Sequence, residues 1–596
     1  MPKTDMKIDV QTQKNVDSWL EGSYDEASKQ EIKKLQQESP QELIDAFYQH
    51  LSFGTGGLRG KMGVGTNRLN IYTIRNATQG LANYILKSKT KKQHLVIIGY
   101  DSRHHSRQFA EESAKVLAAN KIEVYLYKEL RPVPLVSFGV LHKKCTAGIM
   151  ITASHNPAVY NGYKVYWEHG AQVLPPDDVG IIEEVNKITE PSMVKVAKLN
   201  DPLIHEVNGE IDKAYLRAIA PLALHPGNNQ TRGKELSIVY TSLHGAGITM
   251  TPKALESWGF TNLHFVEEQI QPNGDFPTVE KPNPEEHAAL KLGIEQMKRK
   301  NADILIANDP DVDRIGVAVA HEKEYRVITG NEMAIMLIEH ICRSLLSTKQ
   351  MPPKAMFIKT IVTSELCKDI VEHYGASILD VLTGFKYIGE KMAGWAAENR
   401  RLVVTHQFIF GCEESYGYLF GSHVRDKDGV VLAPLIAEMS LQLKLQNKTL
   451  VDFLYEIYQK YGVFHNECVS LTFEGKEGAE KITSIMKQLR QSPPKRILKA
   501  DVLKINDYFV HDTTSLPSGK KEPLLLPKSN VLVFCLSDHS KVIVRPSGTE
   551  PKIKFYCEVV DKHYHRDTHA IKKAINKCAL HAAEIIEDLK RSIGAV

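Results

Sequence analysis

Residues 94–101 (HLVIIGYD) form a short apolar run that stops at a polar turn, the pattern of a buried strand. Residues 106–119 then carry apolar positions at helical spacing, residues 122–127 alternate, and residues 147–152 (AGIMIT) are apolar again. Strand, helix and strand in alternation predict a largely parallel sheet. The rhythm returns twice. Strands at 236–242, 263–266 and 303–307 alternate with helices near 251–258 and 284–300, and strands at 355–360, 377–381 and 401–405 alternate with helices near 364–374 and 387–399. The tail breaks the rhythm: strand-like runs at 467–473, 531–535, 541–544 and 553–559 precede a terminal helix over 567–591. Residues 11–51 read as polar amphipathic helices. The segment 490–527, with several Pro, Lys and Ser residues, is expected to hold a mobile loop.

The chain is therefore read as α/β. A helical extension over 1–50 precedes three similar mixed α/β domains with layered sheets, over 51–225, 226–330 and 331–460. A C-terminal α+β domain follows over 461–596, and the whole is expected to surround a central cleft. Its 596 residues suit four domains at about 150 residues each. A net charge of +4 is too small to argue for nucleic acid or a membrane as partner, so an anionic small molecule would be drawn by local clusters. The first twenty residues hold no apolar signal segment, and no run is long enough to span a bilayer. Eight scattered cysteines without a C-x-x-C pair suggest reduced thiols and a cytoplasmic protein.

In open α/β sheets ligands sit beyond the carboxyl ends of strands, and the chemically loaded segments fall there, one per domain. Ser154 in TASHNP (152–157) follows the AGIMIT strand. Ser-His alone is usually a polar turn, and a hydrolase elbow would need glycines where Thr152 and Asn156 stand. In DPDVDR (309–314), Asp309, Asp311 and Asp313 would point one way on extended backbone, and three hard oxygens suit Mg²⁺ or Ca²⁺. An EF-hand is excluded because Arg314 and Ala320 occupy its Gly and Glu positions. RPSGTEP (545–551) sets an Arg fork beside hydroxyls and a Gly-opened backbone, a cradle for phosphate. GTGGLRG (54–60) matches neither a Walker A loop nor G-x-G-x-x-G, and reads as a tight turn presenting Arg59. TGFK (383–386) follows the strand at 377–381 and GCEESYG (411–417) follows a further strand, and the latter offers carboxylates and a hydroxyl to sugar hydroxyls. RDKDG (425–429) reads as a charged helix start.

Taken in order, TASHNP, DPDVDR, GCEESYG and RPSGTEP resemble the α-D-phosphohexomutase superfamily from about Ser52 onward. The extension and the long chain resemble its phosphoglucomutase/phosphopentomutase branch, bacterial phosphoglucomutases included. The resemblance implies that Ser154 carries a phosphoryl group, with His155 and Lys164 lining it. It implies Mg²⁺ on Asp309, Asp311, Asp313 and the Ser154 phosphoryl, and Arg314 and Arg59 on phosphoryl oxygens. Thr383 and Gly384 would lie in a sugar loop, Glu413 and Ser415 would read sugar hydroxyls, and Lys427 would lie near the substrate. Arg545, Ser547, Gly548 and Thr549 would grip the phosphate that is not reacting. Pro310 and Val312 stand where relatives often have small glycines, and Tyr416 stands near where some carry a histidine. The acid/base is thereby left open among His155, Lys164 and Lys427.

The implied reaction interconverts glucose 1-phosphate and glucose 6-phosphate through phosphoserine and a glucose 1,6-bisphosphate intermediate. Phosphopentomutase, phosphomannomutase and sugar bisphosphate synthase are alternatives on the same fold. A non-catalytic phosphosugar-binding protein is the alternative of another class.

Overall fold

The computed structural model describes residues 8–51, 57–88, 93–207, 209–399, 406–473, 475–547, 552–563 and 567–594. The chain forms two compact units: Met1–Ile328 with Ile388–Ile409 and Tyr416–Gln442, and Thr329–Tyr387 with Phe410–Ser415 and Leu443–Val596.

In the first unit, helices Val10–Glu21, Glu26–Glu38 and Pro40–Phe47 lie within the stretch expected to be amphipathic helices. Their apolar faces close on Val16, Trp19, Ile32, Leu43 and Phe47, with Tyr72 of the next domain completing the cluster. The first sheet contains β1 (Gly57–Lys61), β2 (Leu95–Tyr100), β3 (Glu123–Tyr127), β4 (Ala147–Ile151), β5 (Tyr160–Trp167) and β6 (Ile204–Val207), in the order β1-β5-β4-β2-β3-β6. The second contains β7 (Ile238–Thr241), β8 (Leu263–Phe265), β9 (Ile304–Asn308), β10 (Ile315–His321) and β11 (Glu324–Ile328), in the order β11-β10-β9-β7-β8.

Neither sheet is as parallel as the alternation implied. β2, β3, β4 and β6 run parallel, but β5 is antiparallel to both β4 and β1. β7 runs parallel to β8 and β9, while β10 is antiparallel to β9 and β11. Loop length explains both departures. Only residues 152–159 join β4 to β5, and only 309–314 join β9 to β10. A parallel return would need a crossover of about a dozen residues or more. The TASHNP and DPDVDR segments are thus hairpin connections, fixed at both ends by paired strands.

In the second unit β12 (Ala355–Thr360) pairs in parallel with β13 (Ser377–Val381), and the end of the strand β14 (Gln407–Glu413), from Phe410 on, belongs to the same unit. The strand expected at 401–405 lies outside the described residues. Gly411, Cys412 and Glu413 belong to β14 itself, not to a loop beyond a strand. The C-terminal sheet runs Val463–Thr472, Lys552–Asp561, Lys541–Pro546, Leu532–Leu536, Ala500–Asp507, Asp512–Ser515 and Lys520–Pro523, against the helix Thr568–Ser592. The last three of those strands occupy the segment expected to be a mobile loop. Val502 and Ile505 bury their side chains there, which the Lys- and Ser-rich composition concealed.

Candidate active site

Ser154 sits one turn beyond β4, in left-handed backbone at φ 52°. Its N–H donates to the Thr152 hydroxyl at 2.8 Å, and that hydroxyl donates to Asp101 at 2.6 Å. Ser154 is only 2% exposed. Its Oγ donates to the Asp309 carboxylate at 2.7 Å and lies 3.3 Å from Nδ1 of His155. The nucleophile candidate and the acidic loop, 155 residues apart, therefore meet.

The acidic loop is a turn, not the extended stretch expected. The Val312 N–H bonds back to the Asp309 carbonyl, and Val312 is left-handed at φ 63°. A β-branched residue rarely adopts that conformation, and such strain collects at functional sites. Around it the N–H groups of Val133, Ala246 and Gly429 donate to the carbonyls of Asp311, Pro310 and Val312. The turn brings one carboxylate oxygen from each of Asp309, Asp311 and Asp313 within 4.8 Å of one another, all buried. Lys164, projecting from β5, donates to Asp311 at 2.7 Å and to Asp313 at 3.0 Å. The Lys427 ammonium lies 3.2 Å from Asp313.

The electrostatics follow from burial and from this crowding. Desolvation, with the charges of Asp311 and Asp313, pushes the Asp309 carboxyl well above the ordinary range. Desolvation also opposes ionisation of Asp313, but Lys164, Lys427 and Arg314 outweigh it and hold that carboxyl far below its usual value. Burial, then the Arg314 and Arg59 guanidinium groups, keep the His155 imidazole neutral far below its usual titration range. Oδ1 of Asp311 and Oδ1 of Asp313 are buried without a hydrogen-bond donor. Buried carboxylate oxygens left in that state are rare unless a cation takes them. The donor set fits a hard divalent ion such as Mg²⁺.

Arg59 leaves β1 to donate to Asn156 of the serine turn at 3.2 Å. Arg314 pairs with Glu285, a partner sequence reasoning did not single out. The same holds for Arg103, whose guanidinium donates into the serine turn. In the second unit, Glu413 accepts the Gly384 N–H at 3.0 Å, which joins the two segments expected to read the sugar. The Thr383 hydroxyl there is buried without a partner. Ser415 follows β14 and is partly buried. Arg545 is the next-to-last residue of the strand Lys541–Pro546, and the Ser547 N–H donates to the Lys552 carbonyl at 2.7 Å. Gly548 and Thr549, like 54–56 of the glycine-rich segment, lie outside the described residues.

The chain matches the phosphoglucomutase/phosphomannomutase models for α/β/α domains I, II and III at residues 50–192, 213–322 and 329–461. The C-terminal domain model of the same family matches at 528–568. A phosphoglucomutase of Staphylococcus epidermidis is 37% identical over 530 residues, covering 88% of this chain and 93% of that protein. One from Staphylococcus aureus is 37% identical over 541 residues, covering 90% and 94%. Among solved structures, the phosphoglucomutase parafusin of Paramecium superposes with a TM-score of 0.65 at 18% identity, over 92% of this chain and 96% of that one. A phosphoglucomutase/phosphomannomutase family protein of Burkholderia thailandensis gives 0.63 at 17%, over 89% and 96%. Fold and site together define a phosphosugar mutase, an isomerase. The chain belongs to the phosphoglucomutase/phosphomannomutase family.

Proposed function

We propose that the chain interconverts glucose 1-phosphate and glucose 6-phosphate through a phosphorylated Ser154. The observation that carries this reading is the Ser154 hydroxyl, buried 2.7 Å from the first of three converging carboxylates. The name shared by the staphylococcal relatives supports glucose as the sugar.

In the first half-reaction the Oγ–P bond of phosphoserine breaks as a sugar hydroxyl oxygen bonds to phosphorus and releases its proton. The product is a glucose 1,6-bisphosphate. In the second half-reaction Ser154 takes the other phosphoryl group and the sugar oxygen regains a proton. Nothing is hydrolysed in the cycle. Asp309, Asp311 and Asp313 would hold Mg²⁺, which supplies positive charge to phosphoryl oxygens. The transition state of such transfers is loose and spreads charge over the equatorial oxygens, so positioning and electrostatics do most of the work. Arg59 and Arg314 serve that charge, while Lys164 and Lys427 hold the aspartates in register. The proton carrier belongs among His155, Lys164 and Lys427. Thr383, Gly384, Glu413 and Ser415 read the sugar hydroxyls. Arg545, Ser547, Gly548 and Thr549 take the phosphate that is not reacting, by the fork geometry Arg offers to phosphate. Eight free thiols, without a disulfide, suit a reducing compartment such as the cytoplasm. Among the described residues no helix is long and apolar enough to cross a membrane.

The test combines mass and turnover. The purified protein should carry one phosphoryl group on the peptide containing Ser154, and Ser154→Ala should lose turnover while keeping its melting profile. Wild-type rates in that variant would remove the covalent role. Glucose, mannose and ribose 1-phosphates assayed side by side, with and without bisphosphate primer, decide the sugar.

A further inference from the structure

The serine turn folds its carbonyls inward. Those of Ser154, Asn156, Pro157 and Tyr160 all converge on one guanidinium, that of Arg103. Nη1 donates to Pro157 at 2.9 Å and to Tyr160 at 3.0 Å, and Nη2 donates to Ser154 at 2.6 Å and to Asn156. The Asp101 carboxylate lies 3.4 Å from Nε, and also accepts from Arg103 N–H, Ser106 and Thr152. Arg103 is 3% exposed. Without its donors the turn would bury carbonyls that lack partners, which folded proteins avoid.

One face of this guanidinium is covered from another domain. The Phe276 ring, 1% exposed, lies 4.9 Å from it. The approach is close: a Cβ on Gly274 would fall 2.6 Å from the His104 nitrogen, and His104 pairs with Asp275 at 2.7 Å. The segment 274–276 belongs to the domain that carries the acidic loop. Arg103 thus sits where the serine turn and the metal-loop domain meet.

We propose that Arg103 is a positioning residue for Ser154. It fixes the left-handed serine turn through four carbonyls, and Phe276 fixes the guanidinium plane, so that the serine oxygen keeps its place against the acidic loop. This inference rests on the phosphoserine reading. Arg is required because its planar fork carries five donors in fixed directions, whereas Lys offers one ammonium on a flexible stem. Among the described residues Arg103 donates no hydrogen bond to the Ser154 hydroxyl or to Asp309, Asp311 or Asp313, so its effect would pass through the turn.

Three variants test it. Arg103→Lys keeps the charge and loses the fork, and kcat should fall about 100-fold, the scale of an ångström of misplacement, with KM for the sugar phosphate little changed. Arg103→Ala should regain activity when guanidinium ion is added, and not when methylammonium is added at the same ionic strength. Phe276→Leu keeps the burial and loses the ring face, and should lower kcat by less than Arg103→Lys does. Wild-type kcat in Arg103→Lys would overturn the inference. So would equal rescue of Arg103→Ala by both cations, and if Arg103→Ala does not fold, Arg103→Lys decides alone. Mass measurement of the wild-type protein separates the two readings: a Ser154 peptide that never carries phosphoryl sinks the phosphoserine, whereas a phosphorylated wild type with an unimpaired Arg103→Lys sinks only the role of Arg103.

Discussion

Asp426 is 1% exposed and accepts hydrogen bonds from the Tyr166 hydroxyl at 2.7 Å and from Gln172 at 2.9 Å. Two residues on, Asp428 is fully buried and accepts from Tyr215 at 2.7 Å and His423 at 2.7 Å. Its other oxygen takes the Val430 and Val431 N–H groups, as an N-cap does. The charged helix start read from RDKDG is therefore also a clamp: two anchored carboxylates flank Lys427 and send its ammonium to Asp313. Tyr166→Phe removes one donor from a buried carboxylate, which should cost about 1.5–3 kcal/mol and lower the apparent melting temperature. An unchanged melt would mean that Asp426 is solvated or otherwise satisfied. At this scale the sequence exposed the residues proposed to carry chemistry and hid those that hold them. Ser154 and the Asp309–Asp313 spacing are local patterns. Arg103, Tyr166 and Glu285 act on partners tens to hundreds of positions away, and no spacing within the chain announces such pairs.

Secondary structure was most legible where periodicity was strong. The helix Ser106–Ala119 and the strand Ala147–Ile151 lie where alternation put them. Antiparallel β5, β10 and β11 were missed, because a strand after a short loop reads as the continuation of that loop. Helix packing was also hidden. Helices Ile71–Ser88 and Asp177–Asn186 cross so closely that a Cβ on Gly80 would lie 2.7 Å from the Val185 backbone, and one on Gly180 would lie 2.2 Å from the Tyr84 ring. Gly80→Ala gains about 1 kcal/mol in helix propensity but must push two backbones apart, and overpacking of that kind costs about 1–3 kcal/mol. Its melting temperature should fall. Gly394, exposed within the helix Phe385–Asn399, would meet nothing within 4 Å. Gly394→Ala should therefore raise the melting temperature by the propensity gain alone. Two shifts of the same sign, read by scanning calorimetry, would refute the close crossing as the cause.

At the scale of the molecule, the two compact units draw on separated stretches of chain, and composition does not reveal such returns. The second unit holds its own electrostatic core. Lys359 is fully buried and pairs with Glu365 at 3.1 Å and Asp380 at 3.0 Å, and Lys541, from the C-terminal sheet, also donates to Glu365. Glu558 accepts the Glu365 N–H at 3.0 Å and the Asn466 amide at 2.8 Å. Desolvation would raise the Glu365 carboxyl, but Lys359 and Lys541 outweigh it and bring its pKa from the ordinary 4.5 to about 2. A depressed carboxylate stabilises the folded state fully above its unfolded value, and that contribution disappears as pH falls through the folded one. The Glu365 side chain is 36% exposed, so solvent screening keeps the contribution well below what the shift alone suggests. Glu365→Gln should melt at lower temperature than the wild type at neutral pH, because it leaves buried Lys359 with weaker compensation. The gap should narrow as pH falls from about 4.5 toward about 2, where the wild-type carboxyl also loses its charge. Added salt should narrow it much less, because the Lys359 side of the pair is shielded from solvent. A gap that stays constant across that acid window, measured by scanning calorimetry on both proteins, would show that the Glu365 charge does not hold this unit together.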